Sequence, residues 1–476
     1  MSKIFNGIHF YININNLNSV VRKDENSHEN LSRTFHALDA FTYTLEKFAG
    51  EFDDINIEKF TTSRLHFYIP IQNNSETATA EMLEIIAFSQ ELSSYINKHS
   101  KYQSLVNFQI GSGADLGKYT EFTFTDKDSE ISEMTTIGSP ANRAAKLQSL
   151  CTNGRILVSK EVYDQLSPKF HRIFFGESDA TLQSANKYTE LTAYGASISD
   201  IINELDSNYT KRKNRNIQLA NEHINNLNLS DMNVSDSTSK LDFSNLSLKN
   251  VKSVDDAVML YSDIRGFTSR VDESSLTEIN SLTTSVLSMM YKAVIERDGV
   301  HIQFQGDRES AVFNRYTHEP NDFAIRGILC AMKMLDEVDN LNAKLSKKIN
   351  IGIGCAIGTI HATRVGMRGN KFNVTMGQTV SKADIAEDCI AGVGSTSNKT
   401  EIAITEELYD YISSLKDAIA KKISNSFTQR KYDGEIYYVS TTGLSNIQSE
   451  LDIHTLNANA YRATNNNGVK PWGNLK

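Results

Sequence analysis

Two short stretches carry the side chains best suited to chemistry: Tyr261-Ser262-Asp263-Ile264-Arg265-Gly266-Phe267-Thr268 and Gln303-Phe304-Gln305-Gly306-Asp307-Arg308-Glu309. The apolar run from Val258 to Tyr261 reads as a buried strand that stops at Asp263, and Asp307 follows a glycine between two apolar runs, as at a hairpin tip. If those strands are neighbours, two carboxylates meet at one end of a sheet. Hard divalent cations prefer oxygen ligands, and Mg²⁺ commonly takes only one or two protein carboxylates beside substrate phosphates. Two such ions could activate an attacking oxygen and neutralise a leaving one. Taken singly, each Asp reads more readily as a turn starter that accepts backbone amides.

A carboxylate pair needs a frame, and the order of elements supplies one. Residues Ile8 to Ile14 alternate as a strand, and His28 to Phe48 carry apolar residues at helical spacing. A strand or hairpin arm from Phe60 to Ile71, a helix from Thr79 to Ile96, a strand from Val106 to Ile110 and a polar hairpin around Tyr119 to Phe124 follow. The stretch from Met134 to Leu147 reads as a strand, a turn at Gly138 and a helix with Pro140 in its first turn, where a missing amide costs least. The same order returns later. The strand ending at Asp263 leads to a helix opened by the capping-box pattern Ser275-x-x-Glu278, with Leu282, Val286, Met289 and Met290 as its apolar face. Then come the strands around Asp307, a helix from Phe323 to Leu341, a strand from Ile349 to Ile357 and a turn-rich piece through Gly369. A period near half the chain means two copies of one α/β domain. The expected boundaries are a domain over 1–196, a polar Asn- and Ser-rich linker over 197–252 with an exposed helix near Ile201 to Leu227, a second domain over 253–444, and a polar tail over 445–476 that contains Trp472.

With 476 residues the chain is too long for one average core. Its 49 basic and 58 acidic side chains give no sequence-wide basic field, which argues against a nucleic-acid-binding module. A nucleotide substrate would need a local cationic site and metal ions. Cys151, Cys330, Cys355 and Cys389 are widely separated and lack Cys-x-x-Cys spacing, so they are expected as buried, reduced thiols. No long apolar segment occurs, and the expected location is cytoplasmic.

The motif Ser-Asp-Ile-Arg-Gly-Phe-Thr at 262–268, followed one helix later by Phe-Gln-Gly-Asp at 304–307, resembles the class III nucleotidyl cyclases of the adenylate and guanylate cyclase type. The resemblance covers most of residues 1–196 and 253–440. It implies two ferredoxin-like α/β domains arranged head to tail as a pseudo-dimer, with active sites shared across the interface. One partner brings two metal-binding Asp residues; the other brings an Asn and an Arg that follow a strand and a glycine, with the residues that read the base.

Laying the halves over one another sorts these roles. The second half holds both metal positions, Asp263 and Asp307, while the first half has Asn13 and Ser63 there. The first half keeps Asn142 four residues after Gly138 and has Lys146 where the family usually has Arg. After Gly377 the second half has Ser381 and Ile385 at those spacings. The resemblance therefore implies one working site, with two divalent ions (Mg²⁺ or Mn²⁺) at Asp263, Asp307 and the carbonyl of Ile264, and one blind pseudo-site. Amides after Ile264 could cradle phosphate, since Gly266 permits close approach beside Phe267. The same resemblance puts Arg368 at a triphosphate-binding position, and more weakly Lys187. Lys59 falls at the position of a base-reading Lys, and Thr135 replaces the family's adenine-reading Asp. With Pro-Ala-Asn-Arg-Ala-Ala-Lys-Leu at 140–147, the chain looks most like the pyrimidine cyclases of bacterial Pycsar anti-phage systems, which make cyclic UMP or cyclic CMP for a separate effector. The expected substrate is UTP in preference to CTP. An adenylate cyclase with an altered base pocket and a catalytically silent nucleotide sensor are the competing readings. The halves could pair within one chain or swap between two.

Overall fold

Strand β1 (Ile4–Ile14) sends Ile8, Phe10 and Ile12 into a helix-covered core, while His9, Tyr11 and Asn13 alternate to the opposite face. The computed structural model describes residues 3–447 except 25–26, 62, 72–73, 103–104, 127–130, 177–191, 267–275, 320, 346–347, 368–370 and 392–398. In the first half β1 lies between β3 (Arg64–Pro70) and β4 (Ile110–Asp126), with β2 (Asn56–Thr61) outside β3 and β5 (Ile131–Ile137) paired to the far part of β4. Beyond β4 lie β6 (Arg155–Ser159), β8 (Ala193–Ser197) and β7 (Phe175–Gly176). Helices His28–Ala49 and Ser75–Lys98 cover one face through Phe35, Phe41, Phe48 and Phe88. The side chains of Ser27 and Asn74 cap their first turns by accepting amide hydrogens.

The second half repeats this plan. Strand β10 (Val251–Ile264) lies between β12 (Arg308–Asn314) and β13 (Ile351–Val365), with β11 (Val300–Gln305) outside β12 and β14 (Phe372–Met376) on the far part of β13. Strands β15 (Glu401–Thr405), β17 (Glu435–Ser440) and β16 (Thr428–Tyr432) complete it, and the short β9 (Val234–Asp236) runs parallel to β10. Helices Leu276–Glu296 and Phe323–Asn342 supply Val286, Met290, Ile328 and Leu335 to its core. The registers match position by position. Asn13 opposes Arg64 and Gly111; Asp263 opposes Arg308 and Gly352. The four cysteines are all buried thiols.

The halves clasp each other through their long hairpins. Phe124 and Ile137, from β4 and β5, lie in the core of the second half, and Val365, Phe372, Val374 and Met376, from β13 and β14, lie in the core of the first. Phe124 packs against Tyr291 and Phe304 with ring centroids 5.0 and 5.1 Å apart. Asn280 donates to Thr120, and the amides of Gly366 and Met367 donate to Asp39 and Glu46. Three local expectations change. The strand expected from Val106 to Ile110 begins only at Ile110, as the start of β4. The polar hairpin expected around Tyr119–Phe124 is the continuation of β4, and the turn-rich piece before Gly369 contains β13 as far as Val365.

The connection is also more ordered than a polar linker. Helix Ser207–Asn226 packs on helix His28–Ala49, burying Tyr209, Ala220 and Ile224, and Leu241, Phe243 and Leu246 bury against Met259, Tyr261 and Ala356 on the open face of the second sheet. Asn and Ser dominate its surface, but most of its apolar side chains are buried in or packed against the two cores.

Behind the interface, helices Ser139–Ser149 and Gln378–Ala391 each sit directly on a strand glycine. A Cβ on Gly113 would run into the backbone of Ala144 and Gln148, and one on Gly354 into that of Ala383 and Glu387. Gly113→Ala should therefore lift the first helix from its sheet. We expect roughly 1–3 kcal/mol of lost stability, read as a lower urea midpoint.

Candidate active site

Asp263 is the penultimate residue of β10, and Asp307 lies in the Gly306-Asp307 turn that joins β11 to β12. Gly306 has φ +68°, a left-handed conformation that favours glycine. Because Asp263 and Arg308 are register partners on β10 and β12, the two carboxylates meet at one sheet end. Burial pushes the proton affinity of both upward, Asp263 raises that of Asp307 further, and Arg308 and Arg265 pull Asp263 back only partly. Those arginines are engaged elsewhere: Arg308 with Asp384 at 2.5 Å, and Arg265 with the carboxylate and carbonyl of Glu387 at 2.5 and 2.7 Å. A buried and a half-buried carboxylate, both with raised proton affinity, form a donor set suited to a hard divalent cation, and the residues fit such a group.

The first half completes this end. Helix Ser139–Ser149 begins after Gly138 with Pro140 in its first turn, and the Asn142 Oδ1 lies 4.0 Å from the position a Cβ would take on Gly306. Asn142 is thus beside the Asp307 turn, across the interface and within one chain. Lys146 lies four residues on, on the same helical face. Ile264 is buried and Gly266 is exposed with φ +66°. Phe267, Arg368, Lys187 and Trp472 lie outside the described residues.

The related position on the other side is chemically different. There Asn13 donates to Asn15 at 2.8 Å, and a cavity of about 400 Å³ is lined by Arg22, Ser381, Lys382 and the exposed Ile385, among others. Ser381 and Ile385 offer neither a ribose-orienting amide nor a cation.

The positions expected to read a base are placed differently from that expectation. Lys59 Nζ lies 2.8 Å from Glu133 Oε1 and also donates to the carbonyl of Phe304 in the other half. Thr135, expected to face the base, is fully buried and donates its hydroxyl to Glu58 Oε1 at 2.8 Å; Thr136 donates to the other oxygen. Burial would raise the Glu58 carboxyl, yet His66, Lys59 and Thr136 outweigh it and hold the group well below its ordinary range. Lys59, Glu58 and Glu133 instead line a cavity of about 1040 Å³ with His301 and Gln303 of the second half and Lys240–Ser244 of the connection. Asp263 and Asp307 are not among its walls; the cavity adjoins the other end of β11.

A buried ionic chain crosses here. Glu133 accepts from the Phe304 amide at 2.8 Å and from His301 Nε2 at 3.0 Å, while His301 Nδ1 lies 2.8 Å from Glu309. Glu58, Glu133 and His301 were not singled out in the sequence. Glu133 had a usable signal: it lies two residues before Thr135, on the same strand face.

Comparisons with known proteins agree with this architecture. Residues 249–440 match the family model described as the adenylate and guanylate cyclase catalytic domain. A protein named uridylate cyclase from Pseudomonas aeruginosa is 23% identical over 464 residues, covering 92% of this chain and 82% of its own. The crystal structure of a class III adenylyl cyclase-like ATP-binding protein from Pseudomonas aeruginosa superposes with a TM-score of 0.69 at 20% identity, covering 94% of this chain and 90% of that one, so both halves share its fold. Among the described residues no helix is long and apolar enough to cross a membrane.

Burial would lower the His301 imidazolium, but Glu309 and Glu133 outweigh it and push the group up to about 10. A folded value above the ordinary one near 6.5 stabilises the protein fully below about pH 6.5, and that contribution disappears as pH rises through about 10. Thermal unfolding should therefore shift to lower temperature between pH 7 and 10. In His301→Gln the melting temperature should depend less on pH over that window.

Proposed function

We propose that the chain converts a pyrimidine nucleoside triphosphate, UTP in preference to CTP, into the 3′,5′-cyclic nucleotide and pyrophosphate, a reading that rests on the match of residues 249–440 to the adenylate and guanylate cyclase catalytic domain. The observation that carries this reading is the placement of Asn142, from the half without acidic metal positions, beside the Asp307 turn of the half that has them. The uracil preference draws support from the named uridylate cyclase, whose similarity spans both halves.

In the proposed reaction the O3′–Pα bond forms, the bond from Pα to the pyrophosphate oxygen breaks, and the hydroxyl proton leaves. Asp263, Asp307 and the Ile264 carbonyl would hold two Mg²⁺ or Mn²⁺ ions, whose chemistry is to lower the proton affinity of the 3′-hydroxyl and neutralise triphosphate charge. Gly266, with no side chain, lets the backbone approach phosphate oxygens closely. Asn142 orients the ribose so that its oxygen meets phosphorus in line. Lys146 neutralises charge that grows at the α-phosphate; as a point charge rather than a planar fork, it compensates charge without bidentate geometry. Arg368 contributes a further cation to the triphosphate. The cyclic product then acts on a separate effector in anti-phage defence.

Purified full-length protein incubated with each of the four ribonucleoside triphosphates and Mn²⁺ should give cyclic UMP as the main product and cyclic CMP next. A dominant cyclic AMP product would remove the pyrimidine assignment. Asp307→Asn and Asn142→Ala should each reduce kcat by about two to three orders of magnitude with folding retained, and unchanged turnover in Asp307→Asn would refute the proposed site.

A further inference from the structure

We propose that Glu133, rather than Thr135, is the acceptor that works beside Lys59 in reading the nucleobase, and that His301 holds Glu133 in that role. The inference rests on the function proposed above and adds the residue that sets its base preference.

A count of donors and acceptors carries the argument. An ammonium has three protons to donate. On Lys59 one goes to the Phe304 carbonyl and one to Glu133 Oε1, which leaves a single donor. A carboxylate offers about four acceptor positions. On Glu133 the Oε1 takes Lys59 and the Phe304 amide, and Oε2 takes His301, which leaves a single acceptor. The pair thus presents one donor beside one acceptor, and neither can reverse its polarity.

Thr135 supplies neither. It is fully buried, it does not line the cavity, and its proton is committed to the ionised Glu58, which can only accept. The Glu133 side chain is 18% exposed and shares the cavity wall with Lys59. Every base offers an N–H next to an acceptor, and the order differs: ring N3–H beside O4 in uracil, the 4-amino group beside N3 in cytosine, so the fixed order of Lys59 and Glu133 tells the two pyrimidines apart.

The position along the cleft is also suitable. Phe304, which bonds both Lys59 and Glu133, lies three residues before Asp307, one strand residue short of the turn that carries it. His301 is the positioning residue. Held as an imidazolium between Glu309 and Glu133, it donates to both and keeps Glu133 an ionised acceptor in a fixed rotamer.

The test compares kcat/KM for UTP, CTP, ATP and GTP in the full-length wild type, Glu133→Gln and Thr135→Val, with melting temperature as the check on folding. Glu133→Gln turns the acceptor into a group that also donates, and should change the ratio between the preferred and next base by about tenfold or more. Thr135→Val should keep the wild-type ratio, whatever it does to turnover. His301→Ala should loosen the ratio, and His301→Gln, which still donates, should restore it. A folded Glu133→Gln with the wild-type ratio overturns the proposal, as does a changed ratio in Thr135→Val. If Glu133→Gln does not fold, the Thr135→Val result decides alone. Equal ratios in both His301 variants and wild type would remove His301 from the assignment. A wild type that prefers a purine would defeat the pyrimidine reading, while the variant comparison would still test Glu133 on the preferred base.

Discussion

The reciprocal insertion of hairpin ends fixes everything downstream. Phe124 and Ile137 bury in the second half, and the β13–β14 arm returns Phe372, Val374 and Met376 to the first. Apolar burial of this kind is non-directional, and each fully buried large side chain contributes about 1.5–3 kcal/mol. Direction comes from the polar contacts at its margin, where Lys59, Gln303 and Glu133 each bond backbone of the opposite half. Helix Ser139–Ser149 follows directly on β5, so inserting that arm also delivers Asn142 to the Asp307 turn.

The electrostatics of the two sheet ends have diverged around this shared frame. In the second half, burial raises the proton affinity of both carboxylates, Asp263 raises that of Asp307 further, and the flanking arginines turn toward helix Gln378–Ala391. That helix has Ser381 and Ile385 where its counterpart has Asn142 and Lys146, yet its Asp384 and Glu387 anchor Arg308 and Arg265. An element without the polar groups of its twin thus supports the strands that carry the acidic pair.

Much of this was legible before any coordinates. The alternation in β1 and β10 and the repeated order of elements identify two copies, and the alignment of Asn13 with Asp263 by motif agrees with the strand register. The close contacts at Gly113 and Gly354 were not legible, because a glycine beneath a helix looks like any strand glycine until the helix is placed. The family resemblance picks out Thr135, but a motif position does not report burial, and the Glu58 beneath it reverses its meaning. The segment around Leu241, Phe243 and Leu246 was misjudged because composition averages over neighbours, whereas a sheet face needs only a few apolar side chains at the right intervals.

That packed connection has a further consequence for assembly. Its helix is fastened to the first half and its later part to the second, so little slack remains between the anchoring points. Exchanging partners with another molecule would require peeling both attachments away before any new contact formed. Covalent continuity supplies the two complementary surfaces in a one-to-one ratio, rather than leaving that ratio to cellular abundance.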